Sequence, residues 1–136
     1  MMQTLNAPFT LVSRLLLSAI FISAGLSKIT GFEGTVGYIE AYGLPMASVV
    51  AVLTIILEVV AGIALLVGFQ ARLAAFLLGG FTLIAAVIFH AFWAVPADQA
   101  YMQQLMFMKN LSIAGGLFMV TAMGGGAWSL DQRRSA

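Results

Sequence analysis

The sequence predicts an all-α integral membrane protein, an up-down bundle of four membrane-spanning helices with a short interfacial amphipathic helix after the first span. Hydrophobic residues make up 62% of the 136 residues and charged residues only 8%, whereas a soluble domain carries about 25% charged residues. The mean hydropathy is +1.05, and a chain with so few charges could not cover a water-exposed surface. Four apolar runs are long enough to cross the roughly 30 Å hydrocarbon core; they lie at about residues 8–28, 46–68, 72–93 and 105–124. Together they predict one membrane domain over residues 1–136.

The net charge and the few metal-ligating residues argue against several kinds of function. A net charge of +1 excludes the broad basic surface that nucleic-acid binding needs. The chain has no cysteine and a single histidine, His90, which argues against disulfides, thiolate metal sites, zinc clusters and bis-histidine haem. We therefore expect no metal site, no self-contained redox centre and no complete catalytic motif, and the sequence assigns no catalytic residue.

The first span, residues 8–28, is followed by a polar connector that contains the interfacial helix. The span carries Arg14 within its apolar run and has no basic residue before it, so we interpret it as a retained membrane helix rather than a cleaved signal peptide. In the connector, apolar residues between about 32 and 42 recur at helical spacing. Tyr38 and Tyr42 in this segment are expected at the level of the lipid headgroups.

The other spans are joined by a tight turn and by a second polar connector. The turn at residues 68–71 links the second and third spans, and the connector at residues 97–104 links the third and fourth. In the third span, Ala71, Ala75 and Gly79 recur every four residues, a spacing that lets a neighbouring helix approach closely. This small-residue strip is also a candidate contact surface for a homo-oligomer.

Four spans place both termini on the same side of the membrane. That side carries Arg72, Arg133 and Arg134, with Arg14 near it, whereas two lysines on the other side are diluted by acidic residues. The positive-inside rule therefore predicts that both termini are cytoplasmic.

One carboxylate, Glu58, lies in the middle of the second span. Its neighbours are apolar except for Thr54, which we expect to bond back into its own helix. An ionisable group at this depth costs roughly 2.5 to 3.5 kcal/mol on insertion scales, so another group must offset the cost. By position along their helices, Arg14 is expected below Glu58 and Lys109 above it, and both are candidate partners.

Three further polar residues lie in the outer half of the predicted bundle or at its rim. Lys28 ends the first span and is interpreted as a snorkelling anchor, while Asn110 lies about one turn inside the fourth span. His90 closes the third span, and it is a candidate for proton transfer because its charge changes near neutral pH. The candidate intramembrane polar site therefore comprises Arg14, Lys28, Glu58, His90, Lys109 and Asn110.

Two interpretations of this site are open. In the first, the residues line a polar pocket that opens towards the outer face and binds a small anionic, quinone-like or otherwise polar molecule, because ionisable residues inside a membrane commonly mark functional sites. In the second, Glu58 forms a buried ion pair with Arg14 or Lys109 that only fixes the register of the helices.

A set of segments along nearly the whole chain carries a family resemblance. The segments are Arg14, residues 23–31 (SAGLSKITG), Leu57-Glu58 with Gly62, residues 66–69 (LVGF), Arg72, Phe89-His90, residues 106–111 (MFMKNL), Gly115-Gly116 and residues 124–131 (GGGAWSLD). No single segment is diagnostic, but the ordered set resembles the DoxX family of small four-helix bacterial membrane proteins, especially its enterobacterial inner-membrane branch.

The resemblance implies a four-helix bundle in a bacterial inner membrane and an association with quinol oxidation or membrane oxidoreductase complexes. The first functional hypothesis is therefore an accessory or subunit of a quinone-linked redox system. In it, Lys109 and Asn110 hydrogen-bond the ligand, Glu58 and His90 handle protons, and electrons come from the bound quinone or from a membrane oxidoreductase partner. The alternatives are a small solute transporter or permeation unit, which requires oligomerisation, and a non-catalytic membrane scaffold or assembly factor.

Overall fold

Four long helices form the body of the molecule, and each is long and apolar enough to cross a membrane. They are α1 (Met2–Thr30), α3 (Ala47–Val67), α4 (Ala71–Phe89) and α5 (Ala97–Met123), with the short helices α2 (Phe32–Ala41) after α1 and α6 (Leu130–Ser135) after α5. The computed structural model describes residues 2–136, with side chains from residue 5 onward, and this range contains no strand. The predicted all-α, four-span membrane fold is confirmed.

Two of the long helices begin earlier than the apolar runs predicted. α1 starts at Met2 and contains Pro8 in its second turn. Proline lacks an N–H, so this position removes one backbone hydrogen bond from the helix. α5 starts at Ala97, so the segment predicted as a polar connector forms its first two turns. Pro96 precedes this helix and Asp98 lies in its first turn, and both are helix-start signals that the low hydropathy of the segment obscures.

The second span, α3, changes its winding around Glu58. Residues Ala47–Ile56 are α-helical, Leu57–Ala61 form a π-helical turn, and Gly62–Val67 are α-helical again. A π turn holds one more residue than an α turn and is frequent at functional sites. The sequence pattern did not predict it.

The helices pack in the order α1, α3, α4, α5, with the most extensive contact between α4 and α5. Ala71, Ala75 and Gly79 are buried inside this packing, and a Cβ atom placed on Gly79 would lie 2.7 Å from the ring of Phe118. The small-residue strip therefore brings α5 close to α4 within one chain. The expectation that it forms a contact between copies is wrong, because its surface is already covered.

The bundle has two differently built ends. At the end that carries the α3–α4 turn and the C-terminal segment (the termini end), Gly68 and Gln70 adopt left-handed backbone conformations with φ of 73° and 47°. The Asp131 carboxylate accepts hydrogen bonds from the backbone N–H groups of Gln70 at 2.7 Å and Ala71 at 2.9 Å, which caps α4. At the other end (the α2 end), α2 packs across the first half of α3.

Candidate functional site

An ion pair between α1 and α3 accounts for the carboxylate in the second span. Lys28 Nζ lies 3.0 Å from both Oε1 and Oε2 of Glu58, and it is the one ion pair found among the described side chains. The Glu58 side chain is 5% exposed and the Lys28 side chain 29% exposed. The expectation that Arg14 or Lys109 pairs with Glu58 is wrong, and so is the interpretation of Lys28 as a snorkelling anchor.

A close approach of α1 to α3 places Lys28 over Glu58. A Cβ atom on Gly25 would lie 2.6 Å from Val59 Cγ2 and 3.2 Å from Glu58 Cβ, and one on Gly62 would lie 2.9 Å from the Ile22 side chain. These two contacts set the register of α1 against α3, so that Lys28 lies beside about residue 56. At 1.5 Å per residue, that level is roughly 13 Å along the helix axis from the first residue of α3. Lys28 therefore lies within the bundle, because α1 ends well before the level at which α3 begins.

A cavity of about 550 Å³, the central cavity, adjoins the ion pair. All four long helices contribute to its wall, with α2 at the α2 end, and most lining side chains are apolar, including Phe21, Leu57, Phe81 and Ile113. Its polar lining comes mainly from Lys28, Thr35, Tyr38, Thr54, Glu58, Thr82, His90 and Asn110. An apolar cavity of roughly 300 to 1,000 Å³ with a few convergent polar groups is typical of a small-molecule site.

Two polar side chains on this wall have donors and acceptors that no described residue uses. Thr54 and Asn110 are half-buried, and neither side chain has a hydrogen-bond partner among the described residues, whereas the Thr82 hydroxyl donates to the Leu78 carbonyl at 2.7 Å. The expectation that Thr54 bonds back into its own helix is therefore wrong. The amide of Asn110 and the hydroxyl of Thr54 remain available to a ligand beside the ion pair.

The central cavity reaches the outer surface of the bundle. Leu53 on α3 and Ile84 on α4 line the cavity, yet they are 60% and 62% exposed to the outside of the bundle. α3 packs against α4 from Leu57 onward, while its first half, Ala47–Ile56, packs mainly against α1 and α2. The two helices thus diverge towards the α2 end and leave a lateral opening between Leu53 and Ile84, two residues inside the membrane-spanning segments.

Aromatic rings close the α2 end of the cavity. The ring centroid of Phe89 lies 5.4 Å from that of Tyr38 and 5.0 Å from that of Tyr42, and the Tyr42 hydroxyl donates to the Phe89 carbonyl at 3.3 Å. Tyr38 is 48% exposed, and the partial burial of its phenol, reinforced by the hydroxyl contact with Tyr42 at 3.5 Å, raises its pKa to about 12. The Tyr38 phenol on the cavity rim therefore stays protonated at neutral pH.

Of the remaining candidate residues, His90 lines the central cavity and Lys109 does not. His90 is half-buried on the cavity rim, with Nδ1 2.9 Å from Gln103 Oε1, whereas Lys109 is exposed and does not line the cavity. The structure thus gathers four of the six predicted residues around one space, namely Lys28, Glu58, His90 and Asn110. In residues 5–136, no group of three or more histidine, aspartate or glutamate side chains is arranged to hold a metal ion.

Arg14 has a separate setting at the termini end. Its residue is 1% exposed, and its guanidinium donates to the carbonyls of Gly125 at 2.9 Å, Leu65 at 3.3 Å and Leu66 at 2.6 Å, and to that of Trp128. These acceptors belong to the end of α3 and to the segment after α5. Arg14 therefore joins three parts of the chain and lies outside the central cavity.

The sequence is similar to a known protein family and to individual members of it. The sequence model of the DoxX family matches residues 9–91, which include Arg14, Lys28, Glu58 and His90. The chain is 42% identical over 131 residues to the inner membrane protein YqjF of Escherichia coli (strain K12), covering 96% of the chain and 95% of the relative. It is 39% identical over 123 residues to the inner membrane protein YphA of the same organism, covering 90% of the chain and 88% of the relative.

A more distant relative bears a functional name. Over 107 residues the chain is 32% identical to the protein named "Putative oxidoreductase CatD" of Bacillus subtilis (strain 168), with 77% of the chain and 76% of the relative covered. No solved structure matches the chain.

Proposed function

The chain belongs to the DoxX family, and we propose that this multi-pass inner-membrane protein is an accessory subunit of a membrane redox system that binds a quinone in the central cavity. The observation that carries the proposal is the Lys28–Glu58 pair beside Thr54 and Asn110, whose side chains have no hydrogen-bond partner among the described residues. All four residues lie on the wall of an apolar cavity that opens sideways between Leu53 and Ile84. A lateral opening favours a ligand dissolved in the bilayer. A quinone fits this arrangement, because its apolar tail can extend through the opening while its two carbonyls accept hydrogen bonds from the polar wall.

The wall residues supply the contacts that a quinone headgroup requires. The Lys28 ammonium has three donors and makes two contacts to Glu58, which leaves one donor for a quinone carbonyl. Asn110 and Thr54 can bond the second carbonyl, so Lys28 takes the ligand-binding role first assigned to Lys109. Quinone reduction consumes two electrons and two protons; Glu58 and His90 are proton-exchanging groups on the wall, and a partner oxidoreductase exchanges the electrons.

Binding is tested with variants that leave the ion pair intact. The purified protein in nanodiscs is titrated with a short-chain ubiquinone analogue, and quenching of tryptophan fluorescence gives the dissociation constant. Asn110→Leu removes a hydrogen bond worth about 1 kcal/mol and is expected to weaken binding about fivefold, as is Thr54→Val. Lys109→Leu, beside Asn110 but off the cavity wall, is the matched control and should bind like the unmodified protein.

The same titration decides between this proposal and the non-catalytic scaffold. A lack of saturable binding by the unmodified protein, or equal affinity in all variants, contradicts quinone binding in the central cavity and leaves the scaffold as the better account. Co-purification of a quinone that is lost in Asn110→Leu but kept in Lys109→Leu supports the proposal independently.

The packing below the cavity disfavours the solute-transporter alternative. Leu65, Leu78 and Leu117 are fully buried and form one apolar cluster on the termini side of the cavity. Within the described part of the chain, the central cavity therefore ends on packed leucines rather than on a polar path. Flux of small solutes into proteoliposomes is expected to equal that of empty liposomes.

We also propose that the termini end faces the cytoplasm. Arg14, Arg72, Arg133 and Arg134 lie at that end with Asp131 as the one acid, whereas Lys109 shares the α2 end with the acidic residues Glu33, Glu40 and Asp98. Lys28 and Glu58 pair with each other inside the bundle and add no net charge to either end. This asymmetry follows the positive-inside rule. Because the chain has no cysteine, Ser135→Cys and Glu33→Cys can be compared directly: a membrane-impermeant maleimide should label only the latter on spheroplasts, and the reverse pattern contradicts the orientation.

A further inference from the structure

A second cavity lies at the termini end, and we propose that it binds the phosphate headgroup of an anionic phospholipid. This basic cavity, of about 810 Å³, lies between the first turn of α4, the glycine-containing loop after α5, and α6. Arg72 and Arg134 line it, together with the side chains of Gln70 and Gln132. The site is distinct from the central cavity, and the inference does not depend on quinone binding.

The basic cavity carries a net positive charge, because two arginines and one acidic residue line it. Neither arginine on its wall lies within ion-pair distance of a carboxylate among the described side chains. The acidic residue on the wall, Asp131, has both carboxylate oxygens engaged by the backbone N–H groups of Gln70 and Ala71. An anion entering the cavity therefore meets two guanidinium groups and a carboxylate that already has hydrogen-bond donors.

One edge of the Arg72 guanidinium is free to bind an anion. Its Nη1 donates to the carbonyls of Thr121, at 2.9 Å, and Ala122, while Nε and Nη2 have no hydrogen-bond partner among the described residues. A Cβ atom on Gly124 would lie 3.2 Å from Nη2 and 3.4 Å from Nε, so a glycine here leaves that edge uncovered. Two parallel N–H donors match the oxygens of a phosphate.

The surroundings of the cavity favour a lipid over a soluble phosphate. Arg72 is the second residue of a membrane-spanning helix, which places the cavity at the interface between water and lipid. Met123 lines the cavity and is 72% exposed, and Trp128 nearby in the chain is 57% exposed. The Arg134 guanidinium lies 5.3 Å from the ring centroid of Phe69. Exposed apolar and aromatic groups beside arginines fit acyl chains below a phosphate, and basic residues at this level attract anionic lipids.

The chain offers a matched pair of variants for the test. Arg134 and Arg133 are neighbours in α6, but only Arg134 lines the basic cavity. Native mass spectrometry of the detergent-solubilised protein, titrated with phosphatidylglycerol, should show affinity about fivefold lower in Arg134→Gln and nearly unchanged in Arg133→Gln. Phosphatidylcholine should bind weakly and equally to all three proteins. Arg134→Lys, which keeps the charge but loses the planar fork, should fall between the unmodified protein and Arg134→Gln.

Several results would overturn the proposal. Equal losses in Arg133→Gln and Arg134→Gln would mean that diffuse charge attracts the lipid, and unchanged binding in Arg134→Gln would mean that the cavity is not the site. Equal affinity for phosphatidylcholine would assign binding to the apolar groups. Displacement of phosphatidylglycerol by millimolar inorganic phosphate would make a soluble anion the ligand. The thermal unfolding temperature in phosphatidylcholine nanodiscs checks that each variant is folded.

Discussion

Lys28 Nζ is equidistant, at 3.0 Å, from the two carboxylate oxygens of Glu58. The pair therefore brings a basic and an acidic side chain together between α1 and α3, and the Lys28 contact offsets part of the cost of holding Glu58 within the span. Because both side chains also line the central cavity, the pair combines features of the two interpretations that the sequence left open. It joins two helices, and it borders a space large enough for a ligand.

Removing Lys28 should destabilise the protein more than removing the charge of Glu58. Lys28→Met leaves the nearly buried Glu58 without its cation and should lower the free energy of unfolding by about 3 kcal/mol. Glu58→Gln leaves the more exposed Lys28 and should cost less. In the double variant no charge is orphaned, so most of the stability should return. Unfolding in detergent micelles by a denaturing detergent measures all three, and additive losses in the double variant would show that the pair has no energetic coupling.

The close approach of α1 to α3 gives a prediction with its own control. Gly25→Ala places a methyl group 2.6 Å from Val59 Cγ2, and the resulting overpacking should destabilise the protein by about 1 to 3 kcal/mol. Gly80→Ala and Gly115→Ala introduce the same methyl group in α4 and α5 where nothing lies within 4 Å. These controls should unfold at or above the temperature of the unmodified protein. If all three substitutions behave alike, helix propensity rather than contact explains the glycine.

Arg14 should not tolerate lysine. The guanidinium uses Nε, Nη1 and Nη2 to reach four carbonyls at once, and an ammonium on a shorter reach cannot cover them. Arg14→Lys should therefore cost about 2 kcal/mol, since each buried carbonyl left without a donor costs about 1 kcal/mol or more. The Leu65 carbonyl keeps the Gly68 N–H as a donor, and an ammonium can serve about one of the other three. The exposed Arg133→Lys is the control, and thermal unfolding in nanodiscs measures both. A loss below 1 kcal/mol in Arg14→Lys would mean that water satisfies the carbonyls.

The raised pKa of Tyr38 predicts a loss of stability in strong alkali. The phenol has a pKa of about 12 in the folded protein against 10.0 for an unperturbed tyrosine, so the folded state holds its proton more tightly. The stabilisation is complete below about pH 10 and is lost as the pH rises towards 12. Tyr38→Phe should flatten the stability profile in this window. Tyr42→Phe should lower the pKa of Tyr38 only in part, because burial is the larger cause; tyrosinate absorbance follows the titration.

The fold was largely predictable because hydropathy dominates this chain. Four apolar runs and a tight turn are sufficient to place four spans, but they do not predict the first two turns of α5. A membrane helix can extend beyond its apolar run, and hydropathy does not mark that extension. Pro96 and Asp98 carried the missing information.

The partner of Glu58 was not predictable for a geometric reason. Depth counted along each helix assumes that all spans begin at one level, but contacts such as that between Gly25 and Val59 offset α1 from α3. This offset moves Lys28 inward to Glu58. The π-helical turn at Leu57–Ala61 changes the angular position of the residues around Glu58, and no composition or spacing signals it. An amide inside a span is costly, and this cost makes Asn110 recognisable from the sequence. Thr54 gives no such signal, because a threonine in a helix usually bonds to its own backbone.

The carbonyl contacts of Arg14 have a consequence for biogenesis. Its acceptors on Gly125 and Trp128 lie 111 and 114 residues later in the chain, so they leave the ribosome long after Arg14 has entered the translocation machinery. Until then only the contacts of the guanidinium with the Leu65 and Leu66 carbonyls can form. The termini end can therefore lock only after the last helix has been inserted.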